Sequence, residues 1–258
     1  MSLHINLDEL HETAVAVARK GGEHTLSYFG KSIDVDRKDD ATPVTAADRE
    51  AEQIMRAEIG ARFPDHAILG EEYGESNPGA RVRWILDPVD GTQSFIHGMP
   101  LYTTLVAVEV EGTPLCGVIF APATGELCEA ARGRGCRMNG SACKVRPCGS
   151  LEEATFLSTD AVSAEDYGFG DPFREMLDRC RIHRTWGDAY GHMMVAAGRA
   201  DLMFDPIQNL WDAAPLLPVL EEAGGAFRDV HGEATIRTGN GISCGKELLP
   251  GVLKLFGG

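Results

Sequence analysis

Asp87 and Asp90 stand three residues apart at the end of an apolar run, Trp84-Ile85-Leu86, and Gly91 and Thr92 follow at once. Pro88 between them fixes one φ angle and stiffens the segment, which helps to aim both carboxylates at a common point. Two anions held that close repel unless a divalent cation or a shared proton lies between them. On the dipeptides Asp87-Pro88 and Asp90-Gly91 alone, an Asx-type turn without chemistry is the simpler reading. Further acids stand in comparable places. Ala67-Ile68-Leu69-Gly70 is a short apolar run that ends in Glu71-Glu72. Ligands of α/β sheets gather at the carboxyl ends of strands, so Glu71 can converge with Asp87 and Asp90. Asp48 follows Thr45 by three residues in a variant of the capping box, and Asp212 stands where a helix N-cap is expected.

Composition narrows the classes. The 258 residues are 43% hydrophobic, enough for a substantial core in one large domain or two small ones. No apolar run approaches a membrane span, and the first residues lack the basic-then-apolar order of a signal peptide, so a soluble cytoplasmic protein without a membrane partner is expected. A net charge of −15 argues against a nucleic-acid polymer as partner. Seven cysteines without a Cys-x-x-Cys pair read as reduced thiols rather than a disulfide framework or zinc knuckle. The spacing of the eight histidines excludes a His-Glu-x-x-His zinc helix, and no Gly-x-Ser-x-Gly elbow occurs.

The elements that must position these acids follow from periodicity. Leu7, Leu10, Ala14, Val17, Ala18 and Leu26 predict a helix over 7–29 that stops at Gly30. A half-exposed strand over 33–38 precedes a second helix beginning at Thr45. The Trp84 run predicts a buried strand that hands its acids to a loop, and residues 75–83 read as a surface loop. Leu101–Val110 and Leu115–Ala121 form a predicted hairpin, with further antiparallel edge after Glu126. Downstream, a strand over 154–159, helices over 173–180 and 193–197, and a strand ending in Asp205 precede a helix from Trp211 to about Ala223, in which Pro218 is expected to cause a kink. A last strand over 241–244 and a closing helix complete the chain.

Taken together, Gly70-Glu71-Glu72, Asp87-Pro88-Val89-Asp90-Gly91-Thr92 and the distant Trp211-Asp212-Ala213-Ala214 resemble the inositol monophosphatase superfamily of metal-dependent phosphatases. Lys38, Val44-Thr45-Ala46-Ala47-Asp48 and Glu221-Glu222-Ala223-Gly224-Gly225 extend the resemblance from Lys38 to Gly225. It implies an α/β, α+β layered fold, the αβαβα sandwich of the inositol monophosphatase and fructose-1,6-bisphosphatase type. The chain would be a single phosphatase domain of two packed α/β halves, approximately 1–150 and 151–258. The implied metal ligands are Glu71, Asp87, the Val89 carbonyl, Asp90 and Asp212, with two or three Mg²⁺ ions per site. Thr92 and Asp48, with Glu71, would orient and deprotonate the attacking water, Gly91 and Thr92 would hold the phosphate, and Lys38 would support the site. A homodimer is also implied.

The chemistry stands beside the resemblance. Phosphate monoester hydrolysis is among the slowest uncatalysed reactions, and metals on the attacking and leaving oxygens answer that barrier. Oxygen-only ligands favour Mg²⁺ over zinc or copper. Two divalent ions neutralise Glu71, Asp87, Asp90 and Asp212, and a third makes the site attractive to phosphate within an acidic protein. Arg184 to Tyr190, together with Gly239-Asn240-Gly241-Ile242, most resembles the histidinol-phosphate phosphatase branch. Asp188 and Asp205 are therefore candidate substrate-binding residues, because acids suit a leaving group that carries an ammonium and an imidazole. The expected substrate is a small phosphorylated metabolite, foremost L-histidinol phosphate, a step of histidine biosynthesis. The alternatives are inositol monophosphate and other small sugar or nucleotide phosphates.

Overall fold

In this computed structural model, which describes residues 5–32, 34–37 and 43–257, Leu10, Ala14, Val17 and Ala18 form the buried stripe of α1 (Leu7–Thr25). Asn6 caps the helix through the Glu9 N–H, and a turn rather than helix carries the chain on to Gly30. A small hairpin of β1 (Val35–Arg37) and β2 (Pro43–Thr45) leads to α2 (Ala46–Arg62). Then come β3 (Ala67–Gly70), β4 (Gly74–Ser76), β5 (Val82–Asp90) and the short helix α3 (Thr92–Ile96). A meander follows: β6 (Thr103–Val110), β7 (Thr113–Ala121), β8 (Glu126–Ala131), β9 (Gly135–Met138) and β10 (Ser141–Cys143). Beyond it lie β11 (Thr155–Ser158), α4 (Ala161–Asp166), α5 (Gly170–Arg179), β12 (Ile182–Arg184), α6 (Asp188–Ala196) and β13 (Leu202–Asp205). The chain continues through α7 (Leu210–Ala213), α8 (Leu216–Glu222), β14 (Gly225–Arg228), β15 (Gly241–Gly245) and α9 (Leu249–Leu253).

The larger sheet has eight strands in the order β10-β9-β8-β7-β6-β5-β3-β4, antiparallel throughout except for the parallel pair β3 and β5. The smaller has five, ordered β12-β11-β13-β15-β14, with β11 parallel to both its neighbours. Alternation along β5 sends Trp84 and Leu86 to one face and Ile85 to the other. The first face packs on α1 and α2 through Leu10, Val17, Met55 and Ile59. The second packs on α6 and α8, which also cover Leu157, Met203 and Phe227 of the smaller sheet. The outer face of that sheet, with Phe156 and Phe204, meets Phe173 of α5 and Val252 of α9. The result is the expected αβαβα layering. Among the described residues no helix is long and apolar enough to cross a membrane.

Several local expectations change. The acids do not sit in a loop after the strand, because β5 runs on through Asp90. Its pairing with β6 shifts register: Asp87 faces Leu105 and Asp90 faces Thr103, so one extra residue is accommodated in a bulge. In a regular strand residues three apart face opposite sides, and the bulge cancels that alternation so that both carboxylates reach one side. Pro88 suits the bulge because it has no N–H to place in the ladder. The region 75–83 is also only partly loop, since β4 and β5 take both its ends. The helix expected over 211–223 is broken at Pro215 into α7 and α8, whereas Pro218 lies in the first turn of α8, where a missing N–H costs little. Helix α6 begins at Asp188, five residues earlier than its apolar run indicated.

Candidate active site

The ends of β3 and β5 and the starts of α3, α6 and α7 open onto one cleft of about 480 Å³, lined by Glu71, Asp87, Val89, Asp90, Gly91, Thr92, Asp188 and Asp212 among others. Asp87, Asp90 and Asp212 each bring a carboxylate oxygen within 4.8 Å of the other two. Each is held by the backbone around it. Asp87 Oδ1 accepts the Val89 N–H at 3.0 Å. Asp90 Oδ2 accepts from Thr103 Oγ1 at 2.7 Å and from the Ala189 N–H at 2.9 Å. Asp212 Oδ2 accepts the Asn209 N–H at 2.7 Å, so Asn209 is the cap residue of α7 and Asp212 its reciprocal partner rather than the cap itself.

The electrostatics are those of acids crowded away from water. Burial, then the charges of Glu71, Asp90 and Asp212, push Asp87 well above the ordinary carboxyl range. Burial and Asp188 do the same to Asp90, and burial and Asp90 to Asp212. Asp188 is raised to about 7 by burial and by Asp205, Asp212 and Asp160. Such a set is unfavourable in ionised form unless a cation joins it. Hard oxygen donors converging at this spacing fit a divalent cation of the Mg²⁺ class.

The loop carrying Glu71 has its own support. The Glu71 N–H donates to Leu86 O at 3.2 Å, which ties the end of β3 to β5. Glu52, fully buried and ion-paired with Arg56 at 2.6 Å, accepts the Glu72 N–H at 2.7 Å and the Tyr73 N–H at 3.3 Å. A Cβ on Gly70 would stand 2.0 Å from Glu52 Oε1. Gly70→Ala is therefore expected to dislodge Glu52, to destabilise the protein by about 1–3 kcal/mol and to lower kcat/KM roughly 10–100-fold. Thermal melts and steady-state phosphate release check both, and an unchanged kcat/KM would show that Glu52 does not hold this loop for catalysis.

Asp48 caps α2 in a reciprocal box: its Oδ2 accepts from the Thr45 N–H at 2.9 Å and from Thr45 Oγ1 at 2.5 Å. It is 1% exposed and lies behind the cleft rather than in its lining. Burial raises it to about 6, with the Glu71 charge adding and the Thr45 hydrogen bonds opposing. Thr92 Oγ1 donates to the Val89 carbonyl at 3.1 Å. Lys38 lies outside the described residues.

Asp188 is placed by an unusual backbone. Its φ is +53°, its N–H donates to Thr159 Oγ1 at 2.9 Å, and its Oδ2 lies 2.8 Å from where a Cβ on Gly91 would stand. Gly91, itself at φ +76°, is thus required on two counts. Thr159 Oγ1 donates on to Asp205 Oδ1 at 2.5 Å, while His192 reaches Asp205 Oδ2 through Nε2 at 3.2 Å and Ser243 Oγ through Nδ1 at 2.6 Å. Both Asp205 oxygens are engaged by the protein. Asp205 walls a side pocket of about 90 Å³ that shares Asp90, Asp188 and Asp212 with the cleft.

The sequence model of the inositol monophosphatase family matches residues 6–257. The chain belongs to the inositol monophosphatase family. As a member it is a phosphatase, and thus a hydrolase, of a metal-dependent family. A histidinol-phosphatase of Chlorobaculum parvum is 45% identical over 236 residues, 90% of each chain. An inositol-1-monophosphatase of Rhizobium meliloti is 34% identical over 242 residues, 91% of each chain. Among solved structures, an inositol monophosphatase from Zymomonas mobilis superposes with a TM-score of 0.88 at 30% identity, covering 98% of this chain and 100% of that one.

Within this site the sequence alone does not point to Glu52, Thr103, Thr159 or His192. Thr103 becomes visible only through the β5–β6 register. Glu52 reads as one more acid on α2, and Thr159 and His192 as ordinary residues of a strand end and a helix. None has a local pattern that betrays its partner.

Proposed function

We propose that the protein is a Mg²⁺-dependent phosphomonoesterase that releases L-histidinol and phosphate from L-histidinol phosphate. The observation that carries the reaction is the convergence of Asp87, Asp90 and Asp212 in the wall of one cleft of about 480 Å³. For the substrate, support comes from Asp188 beside that cluster and from the 45% identity to a histidinol-phosphatase. Hydrolysis of inositol monophosphate or of another small sugar or nucleotide phosphate is the second reading, supported by the similarity to inositol-1-monophosphatases.

Glu71, Asp87, the Val89 carbonyl, Asp90 and Asp212 would hold two or three Mg²⁺ ions. When bound, these ions supply Lewis acidity at the phosphoryl oxygens and stabilise charge on the attacking and leaving oxygens. The chain's own groups do the positioning. The Thr92 hydroxyl, already fixed on Val89 O at 3.1 Å, orients the attacking water. Glu71 would accept its proton from within the cleft, and Asp48, raised to about 6 chiefly by burial and also by the Glu71 charge, stands behind it as the second carboxyl of the proton-accepting pair. The Gly91 and Thr92 amides open α3 towards the phosphate oxygens, and the bare Gly91 Cα leaves room for the Asp188 carboxylate. Attack by water leaves no covalent intermediate on the protein. Asp188 and Asp205 complete a negative wall for the ammonium and imidazole of the leaving group. A cytoplasmic homodimer belongs to the same proposal, on the family resemblance, and light scattering tests the dimer.

The substrate is tested by phosphate release with Mg²⁺ from histidinol phosphate, inositol 1-phosphate, fructose 1,6-bisphosphate and adenosine 3′,5′-bisphosphate. Histidinol phosphate is expected to show the highest kcat/KM, and another compound ranking first would overturn the assignment. Asp188→Asn is expected to lower kcat/KM for histidinol phosphate roughly 10–100-fold, the worth of a charge-assisted hydrogen bond. The loss on inositol 1-phosphate should be much smaller, and equal losses would reject a specificity role.

A further inference from the structure

Three cysteines that the hydrolytic cleft does not use meet at the edge of the larger sheet. Cys128 lies on β8, Cys136 on β9 and Cys143 on β10. The register places Cys136 directly opposite Cys143, and pairs Cys128 with Met138, one diagonal step from Cys136. Cys128 Sγ is 3.4 Å from Cys136 Sγ, Cys143 Sγ is 3.4 Å from Cys136 Sγ, and all three sulfurs lie within 4.8 Å of one another. All three thiols are free. Cys128 and Cys136 are buried in the core that α8 covers with Leu216, Val219 and Leu220, whereas Cys143 is half-buried.

Two facing thiols would be enough for a disulfide or for packing. A third, brought to the same point from a third strand, turns the pair into a three-donor cradle. Sulfurs around a cation at a metal–sulfur distance of about 2.3 Å stand roughly 3.8–4.0 Å apart. The two 3.4 Å contacts therefore need to open by only about half an ångström. Thiolates select soft cations and reject Mg²⁺, so this cradle and the acid cleft do not compete for the same ion. Arg199, which ion-pairs with Glu126 of β8, acts on both Cys143 and Cys128 and offsets thiolate charge.

We propose that Cys128, Cys136 and Cys143 form a second cation site, which takes one thiophilic d¹⁰ ion such as Zn²⁺ and is separate from the hydrolytic cleft. Each thiol that binds the ion releases its proton to solvent, and nothing is oxidised. The crowding of the three thiols draws Cys143 below the usual thiol range and pushes Cys128 up. A bound ion ties together β8, β9 and β10, on the first two of which α8 packs, so its effect is on stability rather than on the chemical step.

The test uses the full chain, reduced with a phosphine and kept in excess Mg²⁺. Zn²⁺ is titrated against a chromophoric chelator, and Cd²⁺ is followed by its ultraviolet thiolate charge-transfer band. About one tightly held Zn²⁺ per chain is expected, with a Cd²⁺ band that saturates at the same ratio. Both should be lost in Cys136→Ser and Cys143→Ser and kept in Cys148→Ser and Asp87→Asn. In the unmutated protein, Zn²⁺ should slow alkylation of Cys143 by roughly tenfold or more, a readout that survives even if a serine variant fails to fold. No thiolate band, a band indifferent to Cys136→Ser, or unprotected Cys143 would overturn the proposal. So would a Cys136–Cys143 disulfide formed in air by a protein that retains no Zn²⁺ once reduced.

Discussion

Asp90→Asn is expected to lower kcat/KM for phosphate release by about 10³-fold or more, while raising the Tm of the metal-free protein. Asp90 belongs to the cluster: one of its oxygens lies within 4.8 Å of an oxygen of Asp87 and one of Asp212, and Asp188 presses on it electrostatically. An asparagine keeps an oxygen to accept from Thr103 Oγ1 and the Ala189 N–H, so the bulge and the start of α6 stay in place. What it loses is the charge and one anionic oxygen, and it turns an amide N–H₂ towards the point where a cation would sit. Removing one of several mutually repelling buried carboxylates relieves the fold when no cation is bound. Kinetics at saturating Mg²⁺ and melts in chelator read the two halves. Full activity in the variant would refute the metal assignment, and a lower Tm in chelator would refute the electrostatic account.

The second large effect is the coupling of Mg²⁺ to pH. In the folded protein Asp48 is raised from 3.8 to about 6 and Asp188 from 3.8 to about 7, both chiefly by burial, and Asp87, Asp90 and Asp212 are raised as well. A carboxyl whose folded pKa lies above its unfolded value keeps protons that the unfolded chain has released. Its contribution is fully present below the unfolded pKa and is lost as pH rises through the folded one. Without metal, these groups therefore weaken the fold progressively from about pH 4 to above pH 7. His11, His66 and His183, lowered mainly by burial, act in the opposite sense below their ordinary range, so the melt in chelator alone mixes both. The Mg²⁺-induced rise in Tm separates them. Ions bind deprotonated carboxylates, so at pH 8 a hundredfold excess over Kd should raise Tm by roughly 5–10 °C. At pH 5 the rise should be much smaller. Equal rises at the two pH values would contradict the placement of the raised carboxyls at the metal.

Much of this is legible in the sequence because the signals are local. The apolar spacing of Leu10, Ala14 and Val17, the strand Ala67–Gly70 with its terminal acids, and the hairpin of β6 and β7 each declare themselves within a few residues. Asp87 and Asp90 were visible by spacing, but the reason they point the same way is a bulge that exists only through pairing with β6. The break at Pro215 rather than Pro218 depends on where each proline falls relative to a helix start, and Asp212 is the third residue of α7 rather than its cap because that helix begins at Leu210. The thiol cluster was invisible for a related cause. Its members are 8 and 7 residues apart, a spacing with no motif, and only the order of β8, β9 and β10 brings them together. Glu52 under Gly70 and Thr159 between Asp188 and Asp205 are likewise products of packing rather than pattern.

The most direct measurement of the central claim is anomalous diffraction from crystals of the protein grown with Mn²⁺ in place of Mg²⁺, using a preparation that turns over phosphate ester. The account predicts an ion bonded in common by carboxylate oxygens of Asp87, Asp90 and Asp212. An active preparation whose Mn²⁺ lies elsewhere, with those three oxygens bonded to no ion, would contradict it.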